Sequence, residues 1–163
     1  MIIVEGPSNS GKTTLVNQLS TDLMIPVRDP FKGPHPGDDL IAKVVEDLRE
    51  WPTTVTSIYE GYPLIGEYIY GPLHRKRVAA GFNNYSVKPI LNFFWEATLI
   101  IYCRPPGEGV QDPALLYYDF LLNFPLSRGR VIRYDYTKPV MSVRSIELRI
   151  EEHDNRRIED YDL

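Results

Sequence analysis

One stretch near the start constrains this chain more than any other: Gly6-Pro-Ser-Asn-Ser-Gly11-Lys12-Thr13. It reads G-x-x-x-x-G-K-T, the spacing of a loop whose backbone N–H groups wrap a phosphate. The two glycines permit a tight path and a close approach of backbone to the anion. The flanks agree. Ile2 to Val4 is a short apolar run that reads as a strand, and Thr13 to Asp22 reads as a helix. That helix carries Leu15, Val16 and Leu19 on one face and leaves Asn17, Gln18 and Ser20 outside. Its N-terminus opens directly out of the loop and adds positive potential there.

The expected nucleotide-binding residues are therefore Gly6, Pro7, Ser8, Asn9, Ser10, Gly11, Lys12, Thr13 and Thr14. Lys12 would reach the β- and γ-phosphates, and the Thr13 hydroxyl would be a ligand of Mg²⁺. ATP and Mg²⁺ are the cofactors this implies.

Downstream, strand and helix patterns alternate. Ile25 to Val27 is a short strand candidate ending in Arg28-Asp29-Pro30. Asp38 or Asp39 caps a helix whose stripe is Leu40, Ile41, Val44, Val45 and Leu48, opposed by Lys43, Glu46, Asp47, Arg49 and Glu50. Thr53 to Tyr59 is β-branched and strand-like, ending at Glu60-Gly61. Pro63 to Tyr70 reads as a short helix and His74 to Ala80 as another, stopped by Gly81. Residues 82–96 are aromatic and fit no period. Ala97 to Cys103 is a buried strand, and Asp112-Pro113 starts a helix with Ala114, Leu115, Tyr118, Leu121 and Leu122 on one face. Arg130 to Tyr134 is a fifth strand, and Val143, Ile146 and Ile150 mark a last helix. The expected fold is α/β: a three-layer P-loop NTPase fold, with a five-stranded parallel sheet flanked by helices, as a single domain over residues 1–163.

With 163 residues, 43% of them hydrophobic and 25% charged, the chain suits one soluble domain. A net charge of −4 argues against a general nucleic-acid coat protein but leaves room for a local basic groove. The one cysteine, Cys103, lies in an apolar run and reads as a buried structural thiol, which fits a reducing cytoplasm. No basic leader precedes the first strand, and no apolar run approaches the ~20 residues needed to span a bilayer. His35 and His153 lack metal-ligand spacing, so no zinc site is expected.

Neither the D-x-x-G and N/T-K-x-D motifs of GTP switches nor the L-S-G-G-Q of transporter ATPases occurs. The opening Glu5-Gly6-Pro-Ser-Asn-Ser-Gly11-Lys12-Thr13-Thr14-Leu15 resembles that of thymidylate kinases and deoxynucleoside kinases. Arg28-Asp29-Pro30 is similar to the R-E-P of thymidylate kinases, and Tyr59-Glu60-Gly61-Tyr62 falls where they carry D-R-[YFH]. Tyr70-Gly71 sits at the spacing of their Tyr-Gln-Gly segment, and the trimmed size is consistent with a viral member. The resemblance implies ATP- and Mg²⁺-dependent phosphoryl transfer to a nucleotide, a (deoxy)nucleoside monophosphate such as dTMP.

By the same resemblance Arg28 contacts the acceptor's phosphate, and Asp29 holds its sugar hydroxyl or acts as base. Glu60 sits by Mg²⁺ and the moving phosphoryl, and Tyr62 and Tyr70 line the acceptor pocket. The developing charge would be steadied by Arg104, the one arginine of the short segment after the fourth strand, or by another segment. Related kinases are often dimers, so a homodimer is an expected state. Two departures stand out. Gly61 replaces the family's phosphate-gripping arginine, and the segment Pro105 to Gln111 is too short for the usual arginine-rich lid. His74-Arg75-Lys76-Arg77 could make up the charge, or could be a solvated helical face. An open site would also admit a nucleoside or a nucleotide within DNA or RNA, whose binding would weaken with salt. A nucleotide-binding protein without turnover is the remaining reading.

Overall fold

The computed structural model describes residues 1–28, 37–50, 57–76, 88–105, 112–123, 130–138 and 143–153. Five strands, β1 (Ile2–Glu5), β2 (Val27–Arg28), β3 (Ile58–Glu60), β4 (Leu99–Cys103) and β5 (Val131–Tyr134), form one sheet in the order β2-β3-β1-β4-β5. Every pairing is parallel, so all five C-terminal ends meet at one edge. Among the described residues, six helices cover the sheet: α1 (Lys12–Leu23), α2 (Gly37–Glu50), α3 (Pro63–Arg75), α4 (Lys88–Ala97), α5 (Pro113–Asn123) and α6 (residues 143–153).

Strand alternation sorts the core into two layers. Ile2 and Val4 of β1, Ile58 of β3 and Leu99, Ile101 and Cys103 of β4 pack with Leu15, Val16 and Leu19 of α1 and Val143, Ile146 and Ile150 of α6. Their neighbours in sequence, Ile3, Tyr59, Ile100 and Tyr102, point the other way, into α2, α3, α4 and α5. β1 and β4 are buried at every position, as central strands of a covered parallel sheet must be.

Several expectations hold. The stripes of α1, α5 and α6 are buried as read from the sequence. The start of α5 is capped as expected, with the Ala114 amide donating to Asp112 Oδ1 at 2.9 Å. Others need correction. No break follows Tyr70, because α3 runs through Tyr70 to Arg75 with Pro72 inside it, while residues 77–80 of the expected second helix lie outside the described residues. It stops at Lys76, whose left-handed backbone lets its amide reach the Pro72 carbonyl at 3.1 Å. The aromatic stretch without a visible period contains α4, with Leu91, Phe94 and Trp95 buried, and Ala97 ends that helix instead of starting a strand. α2 already begins at Gly37, so Asp38 and Asp39 lie inside it instead of capping it.

Asp47, assigned by periodicity to the polar face of α2, is buried. Its carboxylate accepts the Tyr62 hydroxyl at 2.5 Å and the Lys43 ammonium at 2.7 Å. A buried carboxylate needs such partners, because an unpaired one bears the full cost of desolvation. Tyr62→Phe removes one of the two. It is expected to lower the unfolding free energy by about 1–3 kcal/mol. Urea unfolding checks this, and a midpoint equal to wild type would show that the bond adds no stability.

Candidate active site

Between the end of β1 at Glu5 and the start of α1 at Lys12, the loop makes its tightest approach at Gly6. Gly6 has φ +150°, and a Cβ added there would lie 2.3 Å from the Cys103 carbonyl oxygen at the end of β4. Only glycine fits, which is the physical reason the motif begins as it does. Asn9 and Gly11, at φ 60° and 84°, bring left-handed turns into the loop, the backbone style of an anion-binding nest. Gly6, Pro7 and Ser10 are buried beneath, while Ser8, Asn9, Thr13 and Thr14 are exposed at the mouth. The Lys12 ammonium donates to the carbonyls of Gly6 (2.7 Å) and Pro7 (2.6 Å), which hold it over the first residues of the loop.

Two carboxylates stand at neighbouring strand ends and face opposite layers. Glu60 closes β3 on the α1 side, where it accepts a hydrogen bond from the Thr13 hydroxyl. Hydroxyl and carboxylate oxygens are the ligands that Mg²⁺ takes when it is shared with substrate phosphates, so Thr13 and Glu60 fit that ion. Among the described residues no cluster of three His, Cys, Asp or Glu could hold a metal by itself.

Glu5 closes β1 on the α5 side and is buried. It accepts the Tyr62 amide at 2.5 Å and the Tyr118 hydroxyl at 3.3 Å, and it also bonds the Gly6 backbone. Burial pushes its carboxyl up to about 7, against the lowering effect of these bonds and of Lys12. In the sequence Glu5 is only the residue before the loop motif, and nothing in that pattern foretells its burial here. Gly61 next to Glu60 has φ +74°, and its amide reaches the Val4 carbonyl at 2.8 Å. That backbone accounts for a glycine where the resembling family has arginine.

The acceptor-side residues named from sequence are spread out. Arg28 ends β2 and pairs with Glu50 at 2.6 Å, on the rim. Asp29 lies outside the described residues. Tyr62 is in the core instead of on a pocket wall, its ring against Tyr59 and Phe94 and its hydroxyl on Asp47. Tyr70 is half-buried, stacked on His74 at 5.8 Å and hydrogen-bonded to Tyr118. Arg104 follows β4 and is held by Asp119 of α5. In the basic segment, Arg75 pairs with the buried Glu67 and Lys76 ends α3, while Arg77 lies outside the described residues. Tyr136 carries no sequence signal for a site role, yet its Cβ lies 3.3 Å from a Cβ added at Gly11, so this exposed ring flanks the loop.

Cys103 is buried, and burial pushes its thiol up to about 12, as expected of an inert structural cysteine. No described helix is long and apolar enough to cross a membrane.

A strand ending in a glycine-initiated anion loop, a helix leaving that loop, and Glu60 of the adjacent strand against Thr13 decide the architecture. The fold is that of a P-loop NTPase. The sequence matches no protein-family model and no curated protein. Solved structures do match. The YorR protein of Bacillus subtilis, in complex with phosphorylated GDP, is 18% identical with a TM-score of 0.59, covering 94% of this chain and 97% of that one. Deoxyadenosine kinase from M. mycoides with bound dATP is 13% identical with a TM-score of 0.56, covering 92% and 98%. A gluconokinase from Sinorhizobium meliloti is 13% identical with a TM-score of 0.50, covering 98% and 97%. The chain thus shares its fold with these three proteins over nearly its whole length.

Glu5 makes stability depend on pH. Its folded pKa of about 7 stands above the ordinary 4.5, so the folded state holds a proton that the unfolded state releases. The favourable contribution is complete below about pH 4.5 and is lost as pH rises to about 7, for a total of about 3 kcal/mol. Glu5→Gln should therefore be more stable than wild type at pH 8, with the advantage shrinking towards pH 4.5. Thermal melts across that range test it; parallel wild-type and variant curves would contradict it.

Proposed function

We propose that this protein is an ATP- and Mg²⁺-dependent phosphotransferase whose acceptor is a nucleoside or nucleotide, with a (deoxy)nucleoside monophosphate such as dTMP as the first candidate. The observation that carries the reading is the junction of Thr13 with Glu60. It puts a hydroxyl and a carboxylate together at the loop's mouth, where the ion that accompanies ATP phosphates is held in such folds. The bound nucleotides of two similar structures, phosphorylated GDP and dATP, support a nucleotide ligand.

In this reading the loop amides and Lys12 hold the β- and γ-phosphates and keep them in line for attack. Mg²⁺ held by Thr13 and Glu60 would neutralise charge on those phosphates. Arg104, which follows β4 and is paired with Asp119 of α5, steadies the charge that develops on the moving phosphoryl. Arg28 keeps donors beyond those used on Glu50 and meets an acceptor phosphate at the rim. Asp29, next in the chain, orients the acceptor's sugar hydroxyl or accepts its proton, and Tyr70 borders the acceptor.

A transfer screen with γ-labelled ATP tests this, with common nucleosides, their monophosphates and short DNA as acceptors. Label is expected on a nucleoside or a monophosphate. Lys12→Ala should lower the rate on the order of 100-fold or more. ATP binding without label on any acceptor would overturn the proposal, and label on DNA alone would overturn the small-molecule acceptor.

A further inference from the structure

Arg104 leaves β4 one residue beyond Cys103, whose carbonyl abuts Gly6. Its guanidinium is gripped side-on by Asp119. Nε donates to both carboxylate oxygens at 3.1 and 3.3 Å, and Nη2 donates to Oδ2 at 3.1 Å. Asp119 Oδ1 also accepts the Tyr102 hydroxyl at 2.8 Å. Tyr102 is fully buried in β4, and its ring stacks on Tyr118 of α5 at 5.7 Å and 20°.

Burial alone would raise the Asp119 pKa, but the bonds from Arg104 and Tyr102 outweigh it and the carboxyl ends below its ordinary value. It is a charged, oriented acceptor. The grip uses Nε and one edge of Nη2, so the Nη1 donors and the outer Nη2 donor remain, on a side chain that keeps 36% of its exposure. A free arginine would lose its rotamer freedom each time it met an anion. One already clamped has lost it beforehand.

We propose that Asp119, braced by Tyr102, is a positioning residue that presets the Arg104 fork to meet the terminal phosphoryl of a nucleotide in the loop. This rests on the phosphotransfer reading above. It goes beyond that reading in assigning Asp119 and Tyr102 a role in the reaction, instead of only in joining α5 to the sheet.

ATP and ADP affinities by calorimetry, together with transfer kinetics, test it in wild type, Asp119→Asn, Tyr102→Phe, Arg104→Ala and the Asp119→Asn/Arg104→Ala pair. Asp119→Asn should weaken ATP about tenfold and leave ADP unchanged. It should lower kcat by up to on the order of 100-fold at constant acceptor KM. On the Arg104→Ala background it should add nothing further. Tyr102→Phe should shift the same quantities in the same direction by less. The proposal is overturned if Asp119→Asn keeps the wild-type ATP-to-ADP ratio, or weakens both nucleotides equally with a lower melting temperature, as a mere strut would. Wild type that transfers to no acceptor would overturn the phosphotransfer reading, while the ATP-to-ADP ratio would still decide the clamp.

Discussion

The backbone contact of Gly6 with the Cys103 carbonyl is the constraint on which the functional edge depends. It exists because β1 and β4 run parallel in a register that pairs Glu5 with Tyr102 and so sets the next residues, Gly6 and Cys103, side by side. From that point the loop has nowhere to go but up and over the N-terminus of α1. A one-residue slip would exchange the two faces of β4, turning Tyr102 out of the α5 layer and Cys103 into it. Two buried strands with apolar side chains on both faces make such a slip costly, which is how the core layers secure the site.

Strand parity then gives two similar side chains different chemistry. Glu5 and Glu60 end adjacent strands near the same loop, yet one points into the α5 layer and the other towards α1. Glu60 meets the exposed Thr13 hydroxyl and stays at the mouth of the loop. Glu5 is enclosed, and three partners from different segments, Tyr62, Tyr118 and Gly6, compensate its burial only in part. It ties the loop, the β3–α3 turn and α5 into one unit.

Carboxylates also govern the cations on this side of the sheet. Arg28 pairs with Glu50, Lys43 with Asp47, Arg75 with Glu67 and Arg104 with Asp119. The run His74-Arg75-Lys76 is thus not an array of loose charges. His74 is stacked on Tyr70, Arg75 is bound to Glu67, and Lys76 closes the helix. The exposed Arg28–Glu50 pair adds little stability and mainly aims its side chains, whereas Lys43 and Arg75 offset the cost of burying Asp47 and Glu67.

What the sequence determined by itself is local. The loop motif follows from glycine's access to a backbone path that other residues cannot take. The stripes of α1, α5 and α6 follow from the 3.6-residue period, and β1 and β4 from continuous apolar runs. Alternation of strand and helix was enough to imply a parallel sheet with its active edge at the strand ends. Only the tertiary structure decided which neighbours those elements acquire. Chain order does not say that β3 lies between β1 and β2; the expectation that Glu60 joins Thr13 at the Mg²⁺ site comes from the family resemblance, and the strand order is its physical reason. Periodicity put Asp47 on a polar face, but a tyrosine hydroxyl from the β3–α3 turn made burial there tolerable. The sequence pattern ends one helix at Tyr70 and starts another at His74, yet α3 runs on through Pro72, because a proline removes one helical hydrogen bond while the packed apolar face holds the rest. Arg104 was legible as a charge; its aim was not, because the carboxylate that sets it lies fifteen residues away on a helix that reaches it only by packing on the sheet.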